Sequence, residues 1–441
     1  MRVERVGFEF VGVSLRVPLK FGSGVITDLT YARAVVEVET GRGERARGRG
    51  SVLLSDLWAY PTDAMSHSER DAAMRAVCRR VAEMYEGAEG HPIDTVMERK
   101  AECGRLGREV TEEGGLAAPV PLLAVLVCAS PVDAALHDAF GRVNGISSYA
   151  CYGADFWERD LSRYLGDEFR GIRPDGFVAT EPVAELPVFH LVGGADKLTD
   201  GELDGSEPED GRPVSLQEWI RREGVYCFKV KLSGTDVAAD VERTGEVAAV
   251  ARESLQERGR EDLYLSVDSN EMCPSPEAVV EYLEKLRERY PRAFDALLYV
   301  EQPTERDLRR HRYDMSEVAA RKPVLADEGI TGVEDLHLAR ELGWSGVALK
   351  TCKGHTSALL CVAAAEKWGM VYSVQDLTNP GLALAHSVGL AARISPIMGV
   401  EANARQFLAD PLMELPEREE LVRVREGVIR TDGGGELGLG S

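Results

Sequence analysis

Charged side chains directly follow short apolar runs at successive points in the second half of the chain. Lys229 and Lys231 stand in CFKVKL, where a spacing of two places both side chains on the same face of a strand. Three acids follow in the same manner: Asp268 in LYLSVDSNE, Glu301 in LLYVEQP and Asp327 in PVLADEG. Three carboxylates in one cavity cannot all remain ionised without a cation, and magnesium prefers oxygen ligands. The pattern therefore predicts a magnesium site beside a pair of lysines.

These residues suit the removal of a proton next to a carboxylate. Such a proton is weakly acidic because its loss produces a dianionic enediolate, which a divalent cation stabilises as a Lewis acid. The base must be an uncharged amine, and the positive charges of Lys229 and the metal favour the neutral form of Lys231. VALKTCKGH supplies a lysine for the opposite side of the cavity, either Lys350 or Lys353.

The elements that position these residues are short β-rich runs that alternate with helix-period stretches from Leu186 onward. The predicted strands end near Val192, Lys231, Asp268, Glu301, Asp327, Lys350, Val374 and Met398. The four intervals between Lys231 and Lys350 are 37, 33, 26 and 23 residues, about the length of a strand, a loop and a helix. Alternating strands and helices imply parallel pairing. Eight strands favour a TIM-type barrel, whose chemistry lies at the C-terminal ends of the strands.

The sequence outside the barrel predicts a second domain and its connections. Two β-branched runs near the N-terminus and helix-period spacing over residues 67–141 indicate an α+β unit. The stretch 154–225 is irregular, and the polar, turn-rich residues 195–213 within it indicate an exposed insertion. The predicted divisions are 1–140 for a capping domain, 141–185 for a linker and insertion, 186–405 for the barrel, and 406–441 for a return to the capping domain.

At these residues the sequence resembles the enolase superfamily, and within it the branch of muconate-lactonizing enzymes, dipeptide epimerases and o-succinylbenzoate synthases. KxK at Lys229 to Lys231 resembles the motif of that branch on strand two, and PVDAALHDAFGRVNG resembles the helix that leads into its barrel. The resemblance implies an α/β fold, a modified TIM barrel (β/α)7β with an N-terminal α+β capping domain. It also implies a Mg²⁺ cofactor, with Mn²⁺ as a substitute, a small-molecule carboxylate substrate and a homo-oligomer.

The resemblance also assigns roles to individual residues. It implies that Lys231 is the base and that Lys353 faces it across the substrate. The implied metal ligands are Asp268, Glu301 and Asp327. Two features depart from the family pattern. The lysine after strand six is followed by Gly354 and His355 rather than by two glycines, which keeps Lys350 as the alternative. Strand eight, ISPIMGVEANARQ, lacks the DxD with which dipeptide epimerases hold an α-ammonium group, so dipeptides are disfavoured.

Further polar residues near the predicted strand ends are candidates for supporting the metal or contacting substrate. They are Asn270, Glu328, His355, Gln375 and Glu401. Three of them have a simpler interpretation as well: Asn270 as a turn residue, Glu328 as a partner of a lysine, and His355 as the first residue of a helix.

Two aromatic residues in loops of the first domain, Phe21 and Trp58, are placed where a capping domain reaches over the barrel mouth. A lid there would exclude water and strengthen the electrostatics inside. His386 and Asp376 suggest a histidine base, but His386 lies in PGLALAHSVGLAARI, which has helix-period spacing. We interpret His386 as an ordinary helix residue.

Composition restricts the class of function. The net charge of -22 disfavours nucleic acid and anionic membranes as partners. The eight cysteines are scattered with no CxxC pair, which indicates reduced, mostly buried thiols. No run of about 20 apolar residues and no signal segment is evident, so we expect a cytoplasmic protein.

The leading hypothesis is magnesium-dependent proton abstraction α to a carboxylate, ending in racemisation or epimerisation, cycloisomerisation or syn-dehydration. One alternative is an acid-sugar dehydratase of the same superfamily. A second is a Schiff-base lyase that uses Lys350 or Lys353, although it leaves the three carboxylates unexplained. A third is a non-catalytic barrel protein, because fold does not imply function.

Overall fold

The computed structural model describes residues 1–21, 24–435 and 437–440. Its first part is an antiparallel sheet of β1 (Arg2–Phe21), β2 (Gly24–Glu39) and β3 (Arg45–Leu53), with β2 in the centre. Four helices follow: α1 (Asp56–Ala59), α2 (His67–Tyr85), α3 (Pro92–Gly114) and α4 (Leu122–Asn144). The lid candidate Phe21 ends β1, and its side chain lies outside the described part of the structure.

Helix α4 packs unusually closely on β3. A Cβ atom added at Gly48 would lie 2.0 Å from the carbonyl oxygen of Ala135, and one at Gly50 would lie 2.1 Å from that of Pro131. Only glycine leaves room for this contact between the helix backbone and the strand. The glycines therefore join the sheet and α4 into one layered cap.

The second part of the chain alternates parallel strands with helices. The barrel strands are β4 (Glu185–Val192), β5 (Cys227–Lys231), β6 (Tyr264–Asp268), β7 (Leu297–Glu301), β8 (Val324–Ala326), β9 (Gly346–Leu349), β10 (Val371–Val374) and β11 (Val400–Glu401). The helices of this part are α5 (Ser162–Leu165), α6 (Leu216–Glu223), α7 (Val237–Glu257), α8 (Pro276–Arg289), α9 (Pro291–Ala296), α10 (Ser316–Ala319), α11 (Val333–Glu341), α12 (His355–Trp368), α13 (Gly381–Ala391) and α14 (Ala404–Phe407).

The eight strands form a closed ring. Consecutive strands from β4 to β10 pair in parallel, and β11 pairs in parallel with β4. A parallel bridge between Gln375 and Glu401 joins the end of β10 to β11. The predicted (β/α)7β barrel with a capping domain is confirmed. The predicted end of strand eight near Met398 is wrong, because β11 consists of Val400 and Glu401.

The irregular stretch 154–225, which lies partly before β4 and partly between β4 and β5, is more buried than its sequence indicated. Trp157, Phe169 and Trp219 are all buried in the main core. The interpretation of 154–225 as an exposed insertion is therefore wrong for these residues, because large aromatic side chains anchor an otherwise polar segment. The acidic residues 200–212 are mostly exposed, as their composition predicted.

The C-terminal segment contacts both parts of the molecule. Strand β12 (Val428–Arg430) pairs antiparallel with β4 at the barrel's N-terminal end. Gly438 pairs with Ser147, and the backbone N–H of Leu439 donates to Asp138 in α4 at 3.0 Å. The tail thus connects the barrel to the last helix of the cap.

One helix of the described residues, α4, is long and apolar enough to cross a membrane by length and composition. In this fold 89% of its most apolar 18-residue stretch is buried inside the protein, as expected for a core helix. All eight cysteines are free, and all except Cys273 are buried.

Candidate active site

Neighbouring strands bring the predicted lysines and acids side by side. In the parallel register, Lys231 on β5 lies opposite Asp268 on β6, and Asp268 lies opposite Glu301 on β7. Each of these residues is the last of its strand, so all three reach the same end of the barrel. The sequence pattern of charges at strand ends thus becomes a cluster in space.

Lys229 is the central cation of the cluster. Its Nζ donates to Glu301 at 2.7 Å and lies 3.0 Å from Asp268 and 3.1 Å from Glu401. The side chain of Lys229 is 2% exposed, so it has no access to bulk solvent. Burial alone would lower the pKa of Lys229, but Glu301, Glu401 and Asp268 outweigh it and hold the pKa well above its usual value. Lys229 is therefore an ammonium group at neutral pH in this arrangement.

Lys231 occupies a different environment. Its Nζ donates to Asp268 Oδ2 at 2.5 Å and to Asn270 Oδ1 at 2.8 Å. Its side chain is 16% exposed and forms part of a polar groove with residues of the following loops, such as Ser233 and Thr235. Lys231 is thus the member of the lysine pair that a molecule entering from solvent can reach.

The two acids nearest these lysines have opposite pKa shifts. Burial raises the pKa of Glu301 to about 7, against the lowering effect of Lys229. For Asp268 burial also acts to raise the pKa, but Lys231 and Lys229 outweigh it and lower the pKa to about 2. Asp268 is therefore fully ionised at neutral pH.

Both lysines that follow β9, the sixth strand of the barrel, contact Asp327. Lys350 Nζ donates to Asp327 Oδ2 at 2.5 Å, and Lys353 Nζ lies 3.0 Å from Asp327 Oδ1. Lys353 Nζ also donates to the backbone carbonyl oxygens of Asp327 at 2.5 Å and Ile330 at 3.3 Å. Burial acts to raise the pKa of Asp327, but the two lysines lower it far below its usual value. Lys350 and Lys353 therefore contact the same carboxylate, but only Lys353 is also bonded to backbone carbonyl groups among the described residues.

The lid candidate Trp58 lies directly over this side of the site. Its side chain is buried, with the ring centroid 5.0 Å from Lys350 Nζ and 5.7 Å from Lys353 Nζ. The indole N–H donates to Glu328 Oε1 at 2.9 Å, and Asn270 Nδ2 donates to the same oxygen at 3.1 Å. An ammonium group within about 6 Å of an indole face is attracted by it. Trp58 therefore covers the two lysines, and Glu328 links it to Asn270.

Two more candidates lie beside Glu301 at the closing bridge of the barrel. Gln375 Nε2 donates to Glu301 Oε2 at 2.5 Å, while Gln375 Oε1 accepts from Lys229 at 3.4 Å. Glu401, the bridge partner of Gln375, lies 3.1 Å from Lys229 Nζ. Both residues therefore complete the wall around the central ammonium.

The donor set fits magnesium in its chemistry. Asp268, Glu301 and Asp327 supply only oxygen, and Asp327 Oδ1 is buried without a hydrogen bond of normal geometry from the described residues. No three His, Cys, Asp or Glu side chains of the described residues converge at ligating distance. Ammonium groups lie between the carboxylates instead, since Lys350 Nζ is 4.0 Å from Glu301 as well as bonded to Asp327. A magnesium ion held by these acids has to displace Lys350 or Lys229 from them.

The candidate His355, and the His386 and Asp376 pair that the sequence analysis considered as a base, have other roles. His355 is the first residue of α12, as its simpler interpretation stated, and its Nε2 pairs with the hydroxyl of Tyr152 at 3.0 Å. Its ring packs against His137 in α4, so the suggestion that His355 contacts substrate is wrong. His386 is buried within α13, as expected for an ordinary helix residue. Asp376 accepts from the backbone N–H of Asn403 at 2.6 Å and has a structural role.

Sequence reasoning missed Arg306 and Glu271 at the edge of the site. Arg306 Nη2 donates to Glu271 at 2.6 Å, and Arg306 Nη1 donates to the carbonyl oxygen of Trp58 at 2.9 Å. Both follow strand ends, in VDSNE and VEQPTER, so the signal existed in the same pattern of charges. Their mutual contact depends on the loop conformations and is not visible in the sequence.

A sequence model of the enolase C-terminal domain-like family matches residues 214–440, slightly more than half of the chain. With the barrel and cap described above, the chain belongs to the enolase superfamily, in its mandelate racemase and muconate lactonizing enzyme family. No curated protein sequence matches the chain.

Solved structures share the complete architecture at low sequence identity. A dipeptide epimerase from Enterococcus faecalis V583, complexed with Mg and a dipeptide, aligns with a TM-score of 0.63 and 16% identity over 100% of this chain and 99% of its own. A muconate lactonizing enzyme from Mycobacterium smegmatis, complexed with muconolactone, gives 0.65 and 18% over 100% and 96%. An enolase from Bradyrhizobium, complexed with magnesium and mandelic acid, gives 0.62 and 18% over 100% and 95%. These likenesses establish the fold.

Proposed function

We propose that this protein is a magnesium-dependent enzyme that removes the proton α to the carboxylate of a small acid. The observation that carries the proposal is the position of Lys231: its amine lines a polar groove and bonds to Asp268, the first of three acids at successive strand ends. Two of the structural relatives are described as complexes with magnesium, which supports the same cofactor here.

Each residue of the cluster has a distinct task in this proposal. Asp268, Glu301 and Asp327 hold the magnesium ion, which supplies Lewis-acid stabilisation to the substrate carboxylate when bound. Lys231 takes the proton at Nζ, because it is the partly exposed amine of the pair. Lys229 stays charged and offsets the negative charge that develops next to it.

The opposite side of the site belongs to Lys350 and Lys353. Lys350 is the better candidate for moving a proton there, because among the described residues its amine bonds to the side chain of Asp327, whereas Lys353 is engaged by two backbone carbonyl groups. The Lys353 assignment implied by the resemblance thus becomes the less favoured of the two. An amine on each side of the substrate is compatible with racemisation, epimerisation, cycloisomerisation or syn-dehydration.

The lining of the groove favours a polar substrate. Ser233, Thr235, Ser269 and Asn270 supply hydroxyl and amide groups along it, and Asp240 and Arg243 are charged lining residues. Leu232 and Met272 are its large apolar side chains. A polyhydroxylated acid would satisfy these groups better than an aromatic acid. Dehydration of an acid sugar is therefore the second candidate reaction.

Solvent deuterium exchange tests the proposal. Purified protein with Mg²⁺ in D₂O is incubated with acid sugars, N-acylamino acids and muconates, and exchange at the α-carbon is followed by NMR. We expect exchange in at least one class, its loss on chelation, and its loss in Lys231→Ala. Lys285→Ala, which removes an exposed lysine paired with Glu281, serves as the control and should exchange normally.

Retained exchange in Lys231→Ala would remove that residue from the role of base. A Schiff-base mechanism makes the opposite set of predictions, since it requires no metal and leaves a lysine adduct after borohydride reduction. Chelator-sensitive exchange without such an adduct excludes it.

A further inference from the structure

Arg306, in the loop after β7, joins three parts of the barrel mouth. Its Nε and Nη2 donate to the carboxylate of Glu271 at 2.6 to 2.9 Å, and its backbone N–H donates to the same carboxylate at 3.0 Å. Its Nη1 donates to the carbonyl oxygen of Trp58 at 2.9 Å. Glu271 lies in the loop after β6 and Trp58 lies in the cap. One guanidinium group therefore ties two barrel loops to the capping domain.

The loop of Glu271 has a backbone that requires support. Asn270 and Glu271 have φ values of 45° and 66°, which non-glycine residues rarely adopt. Such conformations persist only where surrounding contacts hold them. The contacts that hold it include a hydrogen bond from Asn270 N to Asp268 at 2.8 Å and one from Glu271 N to the carbonyl oxygen of Gln302 at 2.7 Å. The Arg306 bonds hold the Glu271 side chain of the same turn. The same turn places the Asn270 side chain against Lys231.

The Trp58 turn, which is the single-turn helix α1 (Asp56–Ala59), is held by contacts from both domains. On the cap side, Asp56 in the same short helix is fully buried and accepts from Arg70 Nε at 2.8 Å. On the barrel side, Arg306 holds the carbonyl oxygen of Trp58. The indole between these two anchors reaches Glu328, and its ring covers Lys350. Arg306 is thus the barrel's direct hold on the backbone of this turn.

We propose that Arg306 is a positioning residue of the active site, which locks the Trp58 turn onto the barrel and keeps Asn270 against Lys231. An arginine suits this task because its planar fork bonds a carboxylate through two nitrogens and still has a third donor for the carbonyl group. A lysine offers one point of attachment and cannot hold both partners in the same geometry. The inference deepens the proposed function, on which its catalytic meaning rests, but its structural content is measurable without substrate.

The fluorescence of Trp58 reports on the lock. Arg306→Met and Arg306→Lys are prepared alone and combined with Trp58→Phe, and each difference spectrum isolates the emission of Trp58 from that of the other four tryptophans. In the wild type we expect blue-shifted emission with little acrylamide quenching, because Trp58 is 1% exposed. In Arg306→Met we expect a red shift and severalfold stronger quenching, with Arg306→Lys between the two.

Two further variants make the result specific. Glu271→Gln weakens the carboxylate side of the lock without touching Trp58, and we expect an intermediate release of the indole. Arg258→Met is the matched control, because Arg258 also pairs with a glutamate, Glu426, and a backbone carbonyl, that of Arg221, in another part of the barrel. It should leave the Trp58 difference spectrum unchanged. Unchanged spectra in the folded Arg306 and Glu271 variants would overturn the proposal.

The catalytic rate gives an independent test of the positioning role of Arg306. In the deuterium-exchange assay we expect both Arg306 variants to lower kcat roughly 10- to 100-fold with a smaller effect on KM, because the reacting groups are misplaced rather than removed. Unchanged kcat in a variant whose Trp58 is released would overturn the positioning role. If the wild type exchanges no acid, the proposed function fails, while the Trp58 spectra still decide whether the lock exists.

Discussion

At the scale of single residues, the site resembles a metal centre in which lysines occupy the places between the ligands. Lys350 bonds to Asp327 Oδ2 at 2.5 Å and lies 4.0 Å from Glu301. A divalent cation that binds these acids competes directly with this ammonium group. If these acids bind magnesium as proposed, the affinity depends on a residue that is not itself a ligand.

This competition predicts the effect of removing Lys350. In Lys350→Met we expect magnesium to bind about tenfold more tightly, equivalent to about 1.4 kcal/mol, because no ammonium has to be displaced and one positive charge is gone. Isothermal titration calorimetry with MgCl₂ measures the change. Lys322→Met, at a partly buried lysine over Phe294 on the barrel exterior, is the control and should bind as the wild type does. Weaker binding in Lys350→Met would show that Lys350 supports the metal site.

Two histidines behind the site predict a pH dependence of stability. Burial lowers the pKa of His386 to about 4 and that of His355 well below its usual value. The unfolded chain binds a proton near pH 6.5 at each position, whereas the folded protein does not. The unfolded state therefore takes up more protons as the pH falls, and the folded state loses stability below about pH 6.5.

The size of this effect is measurable with one variant. Each such histidine contributes about 1.4 kcal/mol for each pH unit between its two pKa values. Urea unfolding of the wild type and His386→Gln at pH 7, 6 and 5 should give a shallower loss of stability in the variant. His337→Gln, at an exposed position, is the control and should follow the wild type. If the free energy of unfolding falls equally with pH in the wild type and in His386→Gln, the buried His386 is not held in its neutral form.

At the scale of elements, the cap depends on the close approach of α4 to β3. In Gly48→Ala the new methyl group would lie 2.0 Å from the carbonyl oxygen of Ala135 and 2.4 Å from the backbone nitrogen of Ala139, so the helix has to move. We expect the free energy of unfolding to fall by about 3 kcal/mol. Gly7→Ala in β1 is the matched control because, its chain neighbours apart, no atom of the described residues lies within 4 Å of its added Cβ. Denaturation midpoints in urea distinguish the two variants, and equal midpoints would contradict the close packing.

The barrel elements and much of the site could be predicted from the sequence, because both depend on short local patterns of apolar and charged residues. Asp268 and Glu301 could be predicted as site residues, since each ends an apolar run and parallel strands end at one face. The burial of His355 could not, because its contacts with His137 and Tyr152 come from α4 and the linker, more than 200 residues away in the chain. The Arg306 to Glu271 bond could not either, since it depends on two irregular loops.

At the scale of the whole molecule, the C-terminal tail holds the cap and the barrel together. The side chain of Leu439 is 3% exposed in the main core, and the backbone of Gly438 directly before it bonds to Ile146 and Ser148, which follow α4. Arg418 Nη1 donates to the carbonyl oxygen of Gly440 at 2.6 Å, which fixes the tail to the C-terminal part of the chain as well. The stability of the molecule should therefore depend on the last few residues.

The neighbouring leucines of the tail separate this effect from mere truncation. Leu439→Ala removes a buried side chain that lies between the two domains, and we expect the free energy of unfolding to fall by about 3 kcal/mol. Leu437→Ala should change it by less than about 0.5 kcal/mol, because Leu437 is 42% exposed. Urea unfolding followed by circular dichroism measures both. The two leucines are only two positions apart in the chain, but Leu439 is buried in the core and Leu437 is exposed. Equal effects of the two substitutions would therefore contradict the role of Leu439 as an anchor.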